Sequence, residues 1–180
     1  MYADLAGVNR SSTINMPEKM IFKPGDYVVY PTHGVGKVLS VEETVVSDHK
    51  LNLFVIYFDR DRMTLRVPVV KAAMSGLRKL SSRKIMEDAM TKLKGRARIK
   101  RTMWSRRAQE YEAKINSGDP LSIAEVVRDL HRNAGQPDQS FSERQIYESA
   151  RDRLASELAA VEKLDMEAAT KRLEKVLVVA

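Results

Sequence analysis

Trp104 is the only tryptophan of the chain, and Arg106 and Arg107 follow it closely. An indole among guanidinium groups has the chemistry of a nucleic-acid wedge. The apolar ring enters a base step while arginines hold the flanking phosphates. Arg101, just upstream, adds a further charge. Trp104 also opens the series Trp104, Ala108, Tyr111 and Ile115, whose helical spacing suits burial in a core, and the residues alone leave both readings open. From Lys92 to Arg107 every charged side chain is basic. Such a block repels itself unless it is solvated or matched by an anion. Nucleic acid is the commonest match, because each phosphate neutralised releases counterions; a solvated helix face accounts for the run as well.

A second candidate contact is Arg66, which stands between Leu65 and Val67 in an alternating strand and so faces away from them. Pro68 cannot donate a ladder hydrogen bond, which favours the edge of a sheet. An edge strand has free N–H and C=O groups that can accept a partner's strand, although a solvated arginine on a protected edge has the same pattern. Arg144 and Arg151 lie two turns apart on one helix face, with Glu148 one turn after Arg144 as a possible ion-pair partner.

Other chemistries find no support. Gly34-Val35-Gly36 precedes a strand, whereas a dinucleotide loop needs three glycines leading into a helix; the two glycines are expected to supply the positive φ of a turn. His33, His49 and His131 are scattered, with no carboxylate at metal-ligand spacing. No nucleophile–base set, phosphate loop or supported carboxylate pair appears, so neither an enzymatic activity nor a cofactor or metal is expected. The absence of cysteine excludes disulfides and fits a reducing cytoplasm. No run of 18 apolar residues exists, and an apolar share of 43% is ordinary for a globular protein. The formal charge of +7 is concentrated in the block described above.

These residues need two kinds of scaffold. From Phe22 to Val70 the chain is rich in β-branched and aromatic residues. Tyr27–Tyr30, Val35–Val46, Leu51–Phe58 and Met63–Val70 read as strands. Pro31–Gly34, Ser47–Lys50 and Asp59–Arg62 read as the turns between them. After Pro68 the period becomes helical. Ile85, Met86, Ala89, Met90 and Leu93 form one buried face, with Gly95 ending that helix, and Trp104 to Ile115 form a second. Gly118 supplies a left-handed cap, Asp119 an N-cap and Pro120 the first position of a third helix, which buries Ile123, Val126, Val127 and Leu130. Ser140 and Glu143 form a capping box for a helix burying Ile146, Tyr147, Ala150, Leu154, Leu158 and Val161. A last helix begins near Asp165.

The run Phe22-Lys-Pro-Gly-Asp-Tyr-Val-Val-Tyr-Pro-Thr-His-Gly-Val-Gly-Lys-Val38, followed later by Met103-Trp-Ser-Arg-Arg107, resembles the CarD/CdnL family of bacterial transcription regulators. The first domain of that family is shared with the transcription-repair coupling factor. The resemblance spans roughly Met20 to Leu158. With the pattern above, it implies an α+β, two-domain chain. A disordered tail over 1–19 is expected, then an SH3- or Tudor-like β-barrel over 20–76 and an all-α domain over 77–180.

The resemblance further implies that the barrel binds the β subunit of RNA polymerase through Arg66, with Thr64 and Val67 beside it. Thr44 stands where the family has a second arginine. Trp104, with Arg101, Arg106 and Arg107, would sit at the upstream edge of the melted promoter bubble. Arg144 matches a basic residue on the DNA backbone, Arg151 lies beyond it, and Ser149 replaces a family lysine. The expected function is stabilisation of the open promoter complex without sequence-specific contacts. The protein would be a monomer in the cytoplasm, associated with the nucleoid through polymerase. Two rivals remain: an RNA- or ribosome-binding module, and an enzyme by kinship with the coupling factor's motor. The motor kinship reaches only the barrel.

Overall fold

A computed structural model describes residues 22–133 and 136–179. The expected tail over 1–19 lies outside these residues. The first part is a curled antiparallel sheet made of β1 (Tyr27–Tyr30), β2 (Gly34–Val46), β3 (His49–Phe58), β4 (Met63–Pro68) and β5 (Arg78–Lys79), in the order β4-β3-β2-β1-β5. A single turn of helix, α1 (Val69–Ala72), follows β4 directly, so Val69 and Val70 are helical rather than part of the strand.

Side-chain alternation builds the core of this sheet. Phe54, Ile56 and Phe58 of β3 point inward onto Phe22, Val28, Val38, Val67 and Leu77. Gly36 is strand rather than turn: a Cβ there would lie 2.7 Å from Ile56 and 2.8 Å from the Phe58 ring. Its role is therefore close packing, and only Gly34, at φ +79°, has the expected positive φ. The β2–β3 turn is also tighter than the sequence suggests. Ser47 and Asp48 both have positive φ, as a two-residue type I′ hairpin requires. His49 and Lys50 accordingly pair with Val46 and Val45. A register shift between Val38 and Ser40 bends the long β2.

The second part contains α2 (Arg83–Leu93), α3 (Trp104–Asn116), α4 (Pro120–Leu130), α5 (Phe141–Glu162) and α6 (Met166–Val179). One core joins them, with Met86, Leu93, Tyr111, Val127, Leu154 and Leu173 among its members. The caps follow the sequence. Asp119 accepts from the Ser122 N–H at 3.0 Å ahead of Pro120, and Ser140 and Glu143 form both bonds of the capping box. Ile85 departs from its expected burial and is 39% exposed, because Met86, Ala89 and Leu93 carry the inward face of α2. No helix among the described residues is long and apolar enough to cross a membrane.

The two parts meet along α5. Arg78 of β5 forms a two-pronged ion pair with Glu157 of α5 and also donates to the Gly118 carbonyl at 2.6 Å. Arg153, one turn earlier on α5, donates to the carbonyls of Pro31 and Thr32 in the β1–β2 turn and to that of Ile115 at the end of α3. Gly118 packs on Pro31 so closely that an added Cβ would lie 3.1 Å from the Pro31 Cα. Sheet pairing extends to Lys79, past the expected boundary at 76, because β5 returns to pair with β1.

Candidate nucleic-acid and protein interfaces

Trp104 is the first residue of α3, and its preceding N-cap, Met103, offers no side-chain acceptor to the helix. The indole is half-buried at the rim of the helical core. Its Nε1–H donates to Ser142 Oγ at 3.0 Å, near the start of α5. The Arg107 guanidinium lies 5.4 Å from the ring centroid, within cation–π range, and the Tyr111 ring lies 6.4 Å away. The ring is thus clamped by three neighbours without being enclosed. Core packing and surface contact, alternatives in the sequence, coexist in this one residue.

The positive charge around it is unevenly available. Arg101, Arg106 and Arg144 are exposed, and none forms an ion pair among the described residues. Arg107 is drawn inward over the indole, with its Nε buried and unpartnered. Arg151 is engaged by Asp152 at 3.2 Å, by Glu174 at 3.4 Å and by the Tyr147 ring. Arg144 and Arg151 therefore differ in how freely their charge is available, and the possible Arg144–Glu148 ion pair is not formed.

Within the basic run, Lys92 and Lys114 both donate to Glu125, holding its carboxyl down to about 2. Lys100 bonds Glu110 at 2.7 Å and lowers that carboxyl below its usual value. The segment between α2 and α3 is pinned by Asp129, a buried carboxylate that accepts from the Arg98 N–H at 3.0 Å and from Arg128 at 2.8 Å. Asp129, Ser142 and Glu157 are structural supports that sequence reasoning missed. Each acts on a residue remote in sequence and has no local signal.

At the other end, β4 pairs only with β3 and is one of the two edge strands of the sheet, as Pro68 suggested. Arg66 faces outward and its Nε donates to Glu42 Oε2 at 3.3 Å, across β3. By register, Thr64 lies on the same face of β4 and Thr44 lies two residues beyond Glu42 on the same face of β2. Val67 departs from this set. Its side chain is 6% exposed and belongs to the sheet core, because alternation turns it opposite to Arg66. Only its backbone is available to a partner.

His33 Nδ1 lies 3.0 Å from Asp61 Oδ2, a pairing that spacing did not reveal. His131 contacts Tyr147 and Asn133, and burial pushes its pKa below the ordinary value. Neither histidine is joined by further ligands, and no group of three or more metal-ligating side chains occurs among the described residues.

Two family models match the chain in succession. Residues 22–81 match the CarD-like/TRCF RID domain and residues 88–174 match the CarD C-terminal domain. Among curated proteins, the chain is similar to "Putative transcription factor YdeB" of Bacillus subtilis (strain 168). The identity is 29% over 141 residues, covering 78% of this chain and 92% of that protein.

Proposed function

Since the chain belongs to the CarD family of transcription regulators, we propose that it binds the β subunit of RNA polymerase through the β4 edge and stabilises the open promoter complex through the surface around Trp104. Arg66, Thr64 and Thr44 form the docking face. Strand addition to β4 supplies affinity through main-chain hydrogen bonds, and Arg66 supplies a charge that now rests on an exposed glutamate. Exposed pairs of this kind contribute little and exchange readily for a better partner.

On the DNA side, Arg101, Arg106 and Arg144 hold phosphates, which positions the protein without reading sequence. Trp104 fills the space left where a base step opens at the upstream edge of the bubble. Stabilising the open state by about 1.4 kcal/mol shifts its equilibrium with the closed state tenfold, so one ring suffices. The activity has no chemical step and no cofactor.

One observation carries this reading: a half-buried indole, fixed by Ser142 and Arg107, close in sequence to exposed arginines that form no ion pair among the described residues. The test is co-purification with polymerase together with open-complex lifetime on a promoter with an unstable bubble. Arg66→Glu is expected to lose polymerase, and Trp104→Ala to keep polymerase but shorten the lifetime. A protein that prefers structured RNA to polymerase in the same purification would overturn the proposal.

A further inference from the structure

Two large apolar side chains face water where local physics asks for polar ones. Phe141, the first residue of α5, is 77% exposed, and Met103, the N-cap of α3, is 79% exposed. Ser, Thr, Asp or Asn would stabilise an N-cap, and an acidic residue would suit the first turn of a helix. Both are linked to Trp104 through the chain. Met103 precedes it in the chain, and the indole Nε1–H bonds Ser142, the neighbour of Phe141. Arg101, Arg106 and Arg144, all exposed, lie within three residues of Trp104 or Phe141 in the chain, while Glu143 beside them is engaged by Arg132 and the Ser140 N–H.

An apolar centre inside a cationic rim suits a ligand that is flat and apolar in the middle and anionic at its margin. An unpaired nucleotide fits: its base has a π-face for stacking and its phosphates meet the arginines. An anionic lipid surface would attract the same rim, but a bilayer is met by a long amphipathic face. Here the apolar residues lie at two helix starts, with no such face between them.

We propose that Phe141 is a second base-contacting residue, stacking on an unpaired DNA base next to the one that Trp104 meets. This rests on the reading of Trp104 as a bubble contact. Two rings held from different helices, and linked through Ser142, would engage both sides of an opened step.

Phe141→Ala, Phe141→Tyr and Trp104→Ala test the assignment in complete polymerase–promoter complexes. Phe141→Ala removes a side chain that is mostly in water, so melting temperature and polymerase co-purification are expected to stay at wild-type values. Open-complex lifetime is expected to fall roughly fivefold or more, the lower end of what one stacked base supplies. Phe141→Tyr should restore it, because the ring remains. A 2-aminopurine placed at the upstream fork should be quenched by wild type and less so by Phe141→Ala. If Trp104→Ala shortens the lifetime and Phe141→Ala does not, this inference is overturned while the proposed function stands. If neither does, both fall. If Phe141→Ala keeps the lifetime but loses binding to phosphatidylglycerol vesicles, the patch serves a lipid surface and the inference is overturned.

Discussion

Arg78 and Glu157 meet in a two-pronged ion pair. Arg78 Nη1 lies 2.8 Å from Glu157 Oε1 and Nη2 lies 3.0 Å from Oε2, with Glu157 only 3% exposed. The Ser81 N–H donates to the same carboxylate at 3.0 Å. Parallel N–H···O bonds fix orientation as well as distance. Since Arg78 lies in the edge strand β5 and Glu157 lies mid-helix in α5, the pair joins Arg153 and the Gly118–Pro31 contact in fixing the sheet against the helices. Under the proposed function, a barrel docked on polymerase would thereby aim the indole.

Breaking this pair from one side strands the other charge. Arg78→Ala, which leaves the buried Glu157 carboxylate unpaired, is expected to cost about 3–5 kcal/mol. Glu157→Gln should cost less, because the Arg78 side chain is 31% exposed and keeps its bonds to the Gly118 and Lys79 carbonyls. Replacing both, as Arg78→Met with Glu157→Leu, should cost less than Arg78→Ala alone, because no buried unpaired charge is left. Urea unfolding of the three variants checks this. Equal losses for Arg78→Ala and the double would show that the carboxylate does not depend on Arg78.

Glu125 predicts a pH dependence. Its carboxyl is held to about 2 by hydrogen bonds first from Lys114 and then from Lys92. The folded value lies below the unfolded one, so the stabilisation is fully present above about pH 4.5 and is lost as pH falls toward 2. The group is partly exposed, which reduces the effect to about 1–2 kcal/mol. Glu125→Gln should therefore destabilise the protein at pH 7 and converge with wild type at low pH. Thermal melting across that range is the measurement, and a constant gap between the two curves would contradict it.

What was legible in the sequence is what depends on near neighbours. Asp119-Pro120 and Ser140 with Glu143 bond within one turn, so their side-chain types announce the helix starts before any tertiary contact forms. Alternation along β3 and β4 likewise gave the outward face of Arg66, and Pro68 its edge. The Arg78–Glu157 pair joins residues 79 apart, and the Trp104–Ser142 bond joins residues 38 apart. No periodicity encodes such separations. Gly36 misled because a glycine read locally signals a turn, whereas its real constraint is the Phe58 ring passing over it. Arg107 was legible as a charge near Trp104, but its inward turn over the indole depends on how α3 packs.

Free DNA binding is expected to be weak and salt-dependent, with the slope set by arginines that are exposed and unpaired. Arg106 and Arg144 are exposed without ion-pair partners among the described residues, whereas Arg151 is engaged by two carboxylates. Replacing Arg106 and Arg144 together by Gln should flatten the dependence of log K on log salt by up to about two units. Arg151→Gln should leave that slope unchanged and instead lower stability, since it releases Glu174 and Asp152. Fluorescence anisotropy with duplexes of unrelated sequence measures all three. Tight binding to one sequence only would contradict the assignment of these residues to phosphates.

The half-burial of Trp104 makes a quantitative demand. A fully enclosed tryptophan truncated to alanine costs about 3–5 kcal/mol; an indole with one face on the core and one edge bonded to Ser142 should cost less, roughly 1–3 kcal/mol. Ser142→Ala separates packing from orientation. It removes only the Nε1–H···Oγ bond, so melting should move little, by about 1 kcal/mol, while the ring gains freedom to turn. If the clamped orientation matters for holding the bubble, Ser142→Ala should shorten open-complex lifetime out of proportion to its effect on stability. Trp104→Phe, which keeps an apolar ring but lacks the N–H, should resemble Ser142→Ala rather than Trp104→Ala. A lifetime that merely tracks melting temperature across these variants would mean that the indole acts through the fold alone.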